Sequence, residues 1–313
     1  MKNIKNNHFL ILGRAGLDLY ADPPGTRTEE AMGFSSALGG SAANIAVAIS
    51  KLGGRASLIS CVSDDAVGRY ILNQLKAYSV ACDHMYTVAG EARSSLAVVE
   101  TRAENCQSVI YRNGASDFLL NESHISEIAF KDYGALIVTG TSLAVEPSRN
   151  ATLIAMKRAG ETGLPVIIDI DYRPYSWASA AEASQIYLTA AAMCDIIIGN
   201  DVEFGVMGEG LMLARKLAQS TQVVIYKMGE KGSITFANGK EFETGIYPVT
   251  ALKPTGAGDA FMGAFITSWA DSLDIKTCVK RGSAAAAIVV TKVGCAPAMP
   301  DTKELDQFMK DHA

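Results

Sequence analysis

The sequence predicts an α/β fold with a mostly parallel sheet covered on both faces, and three observations predict it. Apolar runs of strand length recur along the whole chain, and segments of helical period separate them. Two stretches break this rhythm with the alternation and turn signals of hairpins. A strand that is apolar throughout, and not only at every second residue, is buried on both faces, as helix layers above and below a parallel sheet require.

In chain order, the first strand is read at 9–13, Phe-Leu-Ile-Leu-Gly. Residues 14–38 lack a helical period and carry turn signals at Asp22-Pro23-Pro24-Gly25. A helix near 41–52 follows Gly39-Gly40 and stops at Gly53-Gly54; a strand at 56–61 and a helix near 66–78 come next. Residues 94–101 and 107–113 alternate around Glu104-Asn105, as a hairpin does. Further strands fall at 135–139, 165–170, 195–199 and 223–227, with helices near 148–160, 180–192 and 209–219. A second hairpin turns at Asn238-Gly239 and is expected to flank the ligand side; two more helices lie near 258–270 and 275–292. Ligands of such sheets bind beyond the carboxyl ends of the strands. The segments near 14–38 and 92–115 both leave from that side and are read together as a small β lid.

A chain of 313 residues is long enough for one large domain or two small ones. No low-complexity tract, charge run or repeat divides it, so 1–313 is read as a single domain. The formal charge of −5 and the lack of a basic stripe argue against nucleic acid as a partner. Apolar runs at 9–12 and 284–290 are too short to span a membrane, and the start of the chain has no signal-peptide core. The six cysteines, at 61, 82, 106, 194, 278 and 295, form no C-x-x-C pair and have no histidine at metal-ligand spacing. They read as buried thiols of a reducing compartment, and the expected location is cytoplasmic.

The segment Lys253-Pro254-Thr255-Gly256-Ala257-Gly258-Asp259 carries the strongest chemical signal. Its small residues let successive N–H groups converge where the positive end of a helix dipole lies, which makes an anion hole. Asp259 stands at the edge of that hole, placed to take a proton from an attacking hydroxyl. Phosphoryl transfer to an alcohol needs this pairing, because its catalysis is mainly positioning and charge stabilisation. A glycine-rich turn with an acidic first-turn residue is the plainer alternative.

Four weaker signals accompany it. Gly39 and Gly40 allow a ligand close to the backbone ahead of Asn44, which can donate to and accept from hydroxyls, although a serine-capped helix has the same look. Asp18, just past the first strand, suits a polyol or a solvated loop. Asn200 and Glu203 fit either a capping box or a site near a magnesium ion (Mg2+), held directly or through water. Lys227, Gly229 and Gly232 resemble a loop running over a nucleotide, and 294–297 offers a wall for an adenine ring. Arg112 and Arg173 end a lid strand and a core strand, so both are expected at one mouth. There they bind a carboxylate, or else pair internally with Asp117, Asp169 or Asp171. The histidines carry no assigned chemistry, and no G-x-G-x-x-G follows the first strand, which sets a dinucleotide oxidoreductase aside. A non-catalytic sugar or nucleotide sensor has no need of a base such as Asp259.

Taken together, Gly39-Gly40…Asn44, Asn200…Glu203 and Gly256-Ala257-Gly258-Asp259, in this order, resemble the ribokinase-like (PfkB) carbohydrate kinase family over essentially the whole chain. The resemblance implies a three-layer α/β/α sandwich with a β lid that often forms a homodimer contact. It implies ATP and magnesium as cofactors, Asp259 as general base, Gly256, Ala257 and Gly258 as the anion hole, and Thr255 at the nucleotide. Residues 12–20, 169–174 and 252–254 resemble the family members that phosphorylate sugar acids, among them an enzyme of myo-inositol breakdown. In many members an Asp-Thr pair ahead of the anion hole helps hold a monovalent cation. Lys253-Pro254 stands there in this chain, so an ammonium is expected in place of potassium.

Overall fold

The computed structural model describes residues 4–312, so residues 1–3 and 313 of the expected domain lie outside it. The chain opens with β1 (His8–Leu12), β2 (Gly16–Asp22), β3 (Gly33–Gly39), α1 (Ser41–Lys51), β4 (Arg55–Ser63) and α2 (Ala66–Ala77). It continues with β5 (Met85–Val88), β6 (Leu96–Val99), β7 (Ser108–Tyr111), α3 (Glu122–Ser126), β8 (Ala135–Thr139) and α4 (Ser148–Glu161). Next come β9 (Val166–Asp169), α5 (Ala180–Ala191), β10 (Ile196–Asn200), α6 (Asp201–Met207), α7 (Leu211–Leu217) and β11 (Val223–Lys227). The last elements are β12 (Ser233–Ala237), β13 (Lys240–Thr244), α8 (Ala257–Ala270), α9 (Ile275–Val290) and α10 (Thr302–Asp311).

Nine strands form the main sheet in the order β13-β12-β11-β10-β9-β8-β1-β4-β5, parallel from β11 to β5. The hairpin β12–β13 joins antiparallel at one edge, where the sequence predicts it. Alternation along the strands divides their side chains between two cores. Phe9, Ile11, Ile137, Ile198 and Ile225 face the core shared with α1, α8 and α9. Leu10, Leu12, Val138, Ile197 and Val224 face the core shared with α4, α5 and α6. A helix layer on each face of one sheet gives the three-layer sandwich expected.

The segments at 14–38 and 92–115 meet in a second sheet of order β3-β2-β6-β7. Its central pair is parallel, Leu17 opposite Leu96, and its outer pairs are antiparallel. Only Tyr20, Ala97 and Val99 form a buried cluster of its own.

Several elements have no counterpart in the sequence reading. β5 is a half-buried strand of four residues, too short for its alternation to register. The helix expected near 209–219 is the second of a pair, because Gly208 and Gly210 (φ 54°) separate α6 from α7. The polar helix α10 sinks only Leu305 fully into the core. The thiols are unpaired, as expected, although Cys82 and Cys106 are half-buried and not buried. Among the described residues no helix is long and apolar enough to cross a membrane.

Candidate active site

The parallel strands end under a cavity of about 1110 Å³, closed on its other side by the small sheet. The chain leaves β1 and β8 toward opposite edges of the sheet, and ligands of such sheets bind at this switch point. The site residues expected from the sequence line the cavity, except Gly39, which abuts the lining residue Asp18, and Gly294, Ala296 and Pro297 of the expected adenine wall.

Asp259 sits in the first turn of α8. Gly256 precedes that helix with φ 85° and no side chain caps it, so the first-turn amides are left without intrahelical acceptors. A Cβ at Gly256 would stand 2.9 Å from Cys295 Sγ, so the tight turn needs glycine both for its φ and for space. Asn44 Nδ2 donates to Asp259 Oδ2 at 2.9 Å, which ties α1 to α8 at this point. The Asp259 carboxyl is pushed up to about 8, first by burial and then by the negative charges of Asp171 and Asp169; Asn44 and Arg173 oppose the shift.

Those neighbours belong to a charged cluster at the ends of β9, β10 and β11. Asp171 adopts the left-handed region (φ 41°), accepts from Ser41 Oγ at 2.5 Å and pairs with Arg173 at 2.7 Å. Lys227 Nζ stands 3.8 Å from Asp169. Burial would strip the Lys227 proton, yet Asp169, Glu203, Asp259 and Asp171 together raise its pKa. Burial raises the Asp169 carboxyl against the pull of Lys227, and Glu203 is pushed up to about 7 by the same cause.

The capping box is present. Asn200 Oδ1 accepts from Glu203 N at 2.9 Å, and Glu203 Oε2 accepts from Asn200 N at 2.7 Å. Glu203 Oε1 accepts from Tyr172 N at 3.3 Å. Both carboxylate oxygens are thus engaged by the backbone, and among the described residues no group of three or more His, Cys, Asp or Glu is placed to hold a metal ion. Direct ligation by Glu203 and Asn200 is the part of the magnesium expectation that this arrangement disfavours.

Toward the small sheet, Asp18 is buried, with Oδ2 accepting from Tyr20 Oη at 3.1 Å and Oδ1 unpartnered. Burial raises its pKa. A Cβ at Gly39 would collide with this carboxylate, and one at Gly40 (φ 96°) with the Arg14 carbonyl. Arg112 and Arg173 do line one cavity, but each also has the internal partner that the alternative reading named. Arg112 donates from Nε and Nη2 to Asp117 Oδ2 (3.0 and 2.5 Å) and from Nη1 to Thr141 O (3.1 Å), and its guanidinium lies over the Phe118 ring. Arg173 pairs with Asp171.

Where the sequence places a nucleotide, Gly229, Gly232 and Thr255 line the cavity beside 246–249 and the end of α9. Lys227 does not belong with that loop, because its ammonium turns inward to the acidic cluster. Of 294–297 only Cys295 reaches the cavity, where its thiol accepts from Tyr20 Oη at 3.3 Å and lies beside Gly256. Lys253 is fully buried and donates to Thr255 O at 2.6 Å and Val289 O at 3.2 Å. The sequence assigned no individual role to Arg14, Tyr20 or Tyr175; of these only Arg14 carried a signal, as a charged residue directly after a core strand.

Comparison with known proteins places this geometry. The model of the pfkB family carbohydrate kinases matches residues 6–302. The chain is 42% identical to the 5-dehydro-2-deoxygluconokinase of Photobacterium profundum over 311 residues, which cover 96% of this chain and 94% of that protein. It is 34% identical to the protein of the same name from Geobacillus kaustophilus over 314 residues, covering 97% and 94%. Among solved structures it shares its fold with a Xylella fastidiosa fructokinase with bound ATP (TM-score 0.87, 21% identity, 98% of this chain and 99% of that one). A putative ribokinase II from E. coli is similar to the same degree (TM-score 0.88, 21% identity, 97% and 100%). The chain belongs to the pfkB family of carbohydrate kinases.

Proposed function

We propose that the chain transfers the γ-phosphoryl group of ATP to the terminal hydroxyl of a sugar acid, 5-dehydro-2-deoxy-D-gluconate, giving the 6-phosphate used in inositol breakdown. The observation that carries the reading is Asp259 at the open amino end of α8, hydrogen-bonded to Asn44 and facing the cavity. The identity to relatives named for that activity supports the substrate.

Asp18, Gly39, Gly40 and Asn44 hold the polyol, whose terminal hydroxyl gives its proton to Asp259 Oδ as the oxygen attacks phosphorus. The free amides of residues 256–258 take up charge on the transferring group, with Lys227 and Arg173 close by. Magnesium, arriving with ATP as part of that substrate, would supply charge neutralisation at the phosphates. Asp169 and Glu203 would hold it by their negative charge, through water, since both Glu203 oxygens are engaged by the backbone. Gly229, Gly232 and Thr255 border the nucleotide. The small sheet acts as the lid, and its exposed Phe34, Val109 and Tyr111 support its use as a homodimer contact.

Steady-state assays with ATP against 5-dehydro-2-deoxy-D-gluconate, 2-keto-3-deoxygluconate, D-fructose and D-ribose test the reading. The first is expected to give the highest kcat/KM. Equal or better turnover of either neutral sugar overturns the sugar-acid assignment, and preference for the second acid moves it to that substrate.

A further inference from the structure

Two arginines are buried against the cavity, and they are partnered differently. Arg112 has the Asp117 carboxylate. Arg14, in the turn after β1, donates from Nη1 to Ser95 Oγ at 3.0 Å and has no ion-pair partner among the described residues. Asp18 feels its charge but lies beyond ion-pair distance and spends Oδ2 on Tyr20. A buried guanidinium with one neutral acceptor is costly unless something supplies the opposite charge. The protein's own carboxylates do not, and the guanidinium faces the space a substrate fills.

We propose that Arg14 recognises the carboxylate of the sugar-acid substrate and sets the preference for acids over neutral sugars. This rests on the reading of the chain as a sugar-acid kinase. The backbone fixes Arg14 in register with the chemistry. Its carbonyl accepts from Ala43 N at 3.3 Å, in the first turn of α1, and the next residue of that turn, Asn44, reaches Asp259. The same helical turn therefore holds both the base and the carboxylate-binding residue, with Asp18 lining the cavity alongside them. Gly16 is part of the arrangement, since a Cβ there would stand 2.9 Å from Arg14 Nη1 and 2.7 Å from Ser95 Oγ. Arg112 and Arg173 then shape the mouth while their own charges are met internally.

The test is a kinetic comparison of wild type, Arg14→Gln and Arg14→Lys. Arg14→Gln is expected to raise KM for 5-dehydro-2-deoxy-D-gluconate roughly 10- to 100-fold, the loss of one or two charge-assisted bonds, with a smaller fall in kcat and an unchanged KM for ATP. Arg14→Lys restores part of the affinity. Thermal melting without ligand is expected to be unchanged or raised in Arg14→Gln, because an unpaired buried charge is gone. If KM for the acid stays at the wild-type value, or if the KM values for acid and ATP rise together with a falling melting temperature, Arg14 is structural and the proposal is overturned. Should Arg14→Gln fail to fold, Arg14→Lys decides: a KM for the acid raised several-fold with an unchanged KM for ATP supports the role of Arg14, and a wild-type KM for the acid overturns it. A wild type that prefers neutral sugars sinks the sugar-acid reading itself. A wild type that prefers the acid, with Arg14→Gln keeping that preference, sinks only the role of Arg14.

Discussion

The floor of the cavity and its sugar-side wall carry opposite imbalances of charge. On the floor, Asp169, Asp171, Glu203 and Asp259 outnumber Lys227 and Arg173, and burial, with the neighbouring carboxylates adding to it, holds the Asp169, Glu203 and Asp259 carboxyls above their ordinary range. On the wall, Arg14 and Arg112 line the cavity against Asp18, and Arg14 lacks an ion-pair partner among the described residues. Folding alone would favour neutralising both regions internally. Their persistence is understandable if the floor receives a cation with the nucleotide and the wall receives an anion with the sugar. The two ligands then complete the electrostatics that the polypeptide leaves open.

The largest expected effect breaks the floor. Asp259→Asn is predicted to lower kcat by about 100- to 10,000-fold, the range for losing a positioned general base, while nucleotide and sugar still bind. Because the Asp259 carboxyl is raised to about 8 in the ligand-free protein, a neutral pH leaves much of it protonated. Activity in kcat/KM is therefore expected to climb as pH rises through that value. The sign for stability is opposite: a carboxyl raised above its unfolded value destabilises the fold progressively as pH rises from the ordinary Asp range toward 8. Asp259→Asn should accordingly melt no lower than wild type at pH 7. Near-normal turnover in that variant would remove Asp259 from its role.

A second prediction separates paired from unpaired arginines. Arg112→Gln leaves the Asp117 carboxylate buried without its cation and is expected to cost about 3–5 kcal/mol of stability. Arg173 is 42% exposed in its side chain, but its partner Asp171 is buried; Ser41 Oγ and the nearby Lys227 charge remain beside that carboxylate, so Arg173→Gln is expected to cost less, about 1–3 kcal/mol. Denaturant unfolding of the two variants checks the order; equal losses would dissolve the distinction between them. The smallest expected effect is at Lys253, where adding potassium to potassium- and sodium-free buffer is predicted to leave activity unchanged. Clear activation by potassium would show that the ammonium does not occupy a cation site.

Most of the main sheet was legible because double-sided burial leaves uninterrupted apolar runs such as 135–139 and 223–227, which need no knowledge of their neighbours. β5 was not, since a half-buried edge strand of four residues follows neither pattern clearly. The start of α8 was legible for a similar reason: the anion hole is made by local backbone, and Gly256 through Asp259 are consecutive. Arg14, Arg112 and Arg173 were harder. All three follow strands, and nothing in their sequence positions tells which has a carboxylate within reach. Asp117 lies five residues beyond Arg112 and Asp171 two before Arg173, so those pairings could be named as alternatives. The lack of such a partner at Arg14 is a property of the assembled cavity alone.

The buried Lys253 ammonium has a physiological consequence. A dissociable metal cation makes an enzyme answer to the ionic composition of its surroundings, and a tethered ammonium does not. Lys253 sits at the carbonyl end of α9, held by Val289 O and by Thr255 O beside the anion hole, so its charge is present whatever salts the medium holds. Burial lowers its pKa, and its proton therefore leaves at a lower pH than that of an exposed lysine. If the ammonium takes the place of a cation, independence from salt composition comes with a sensitivity to alkaline conditions, in which the fixed charge beside Thr255 is lost sooner than that of an exposed lysine.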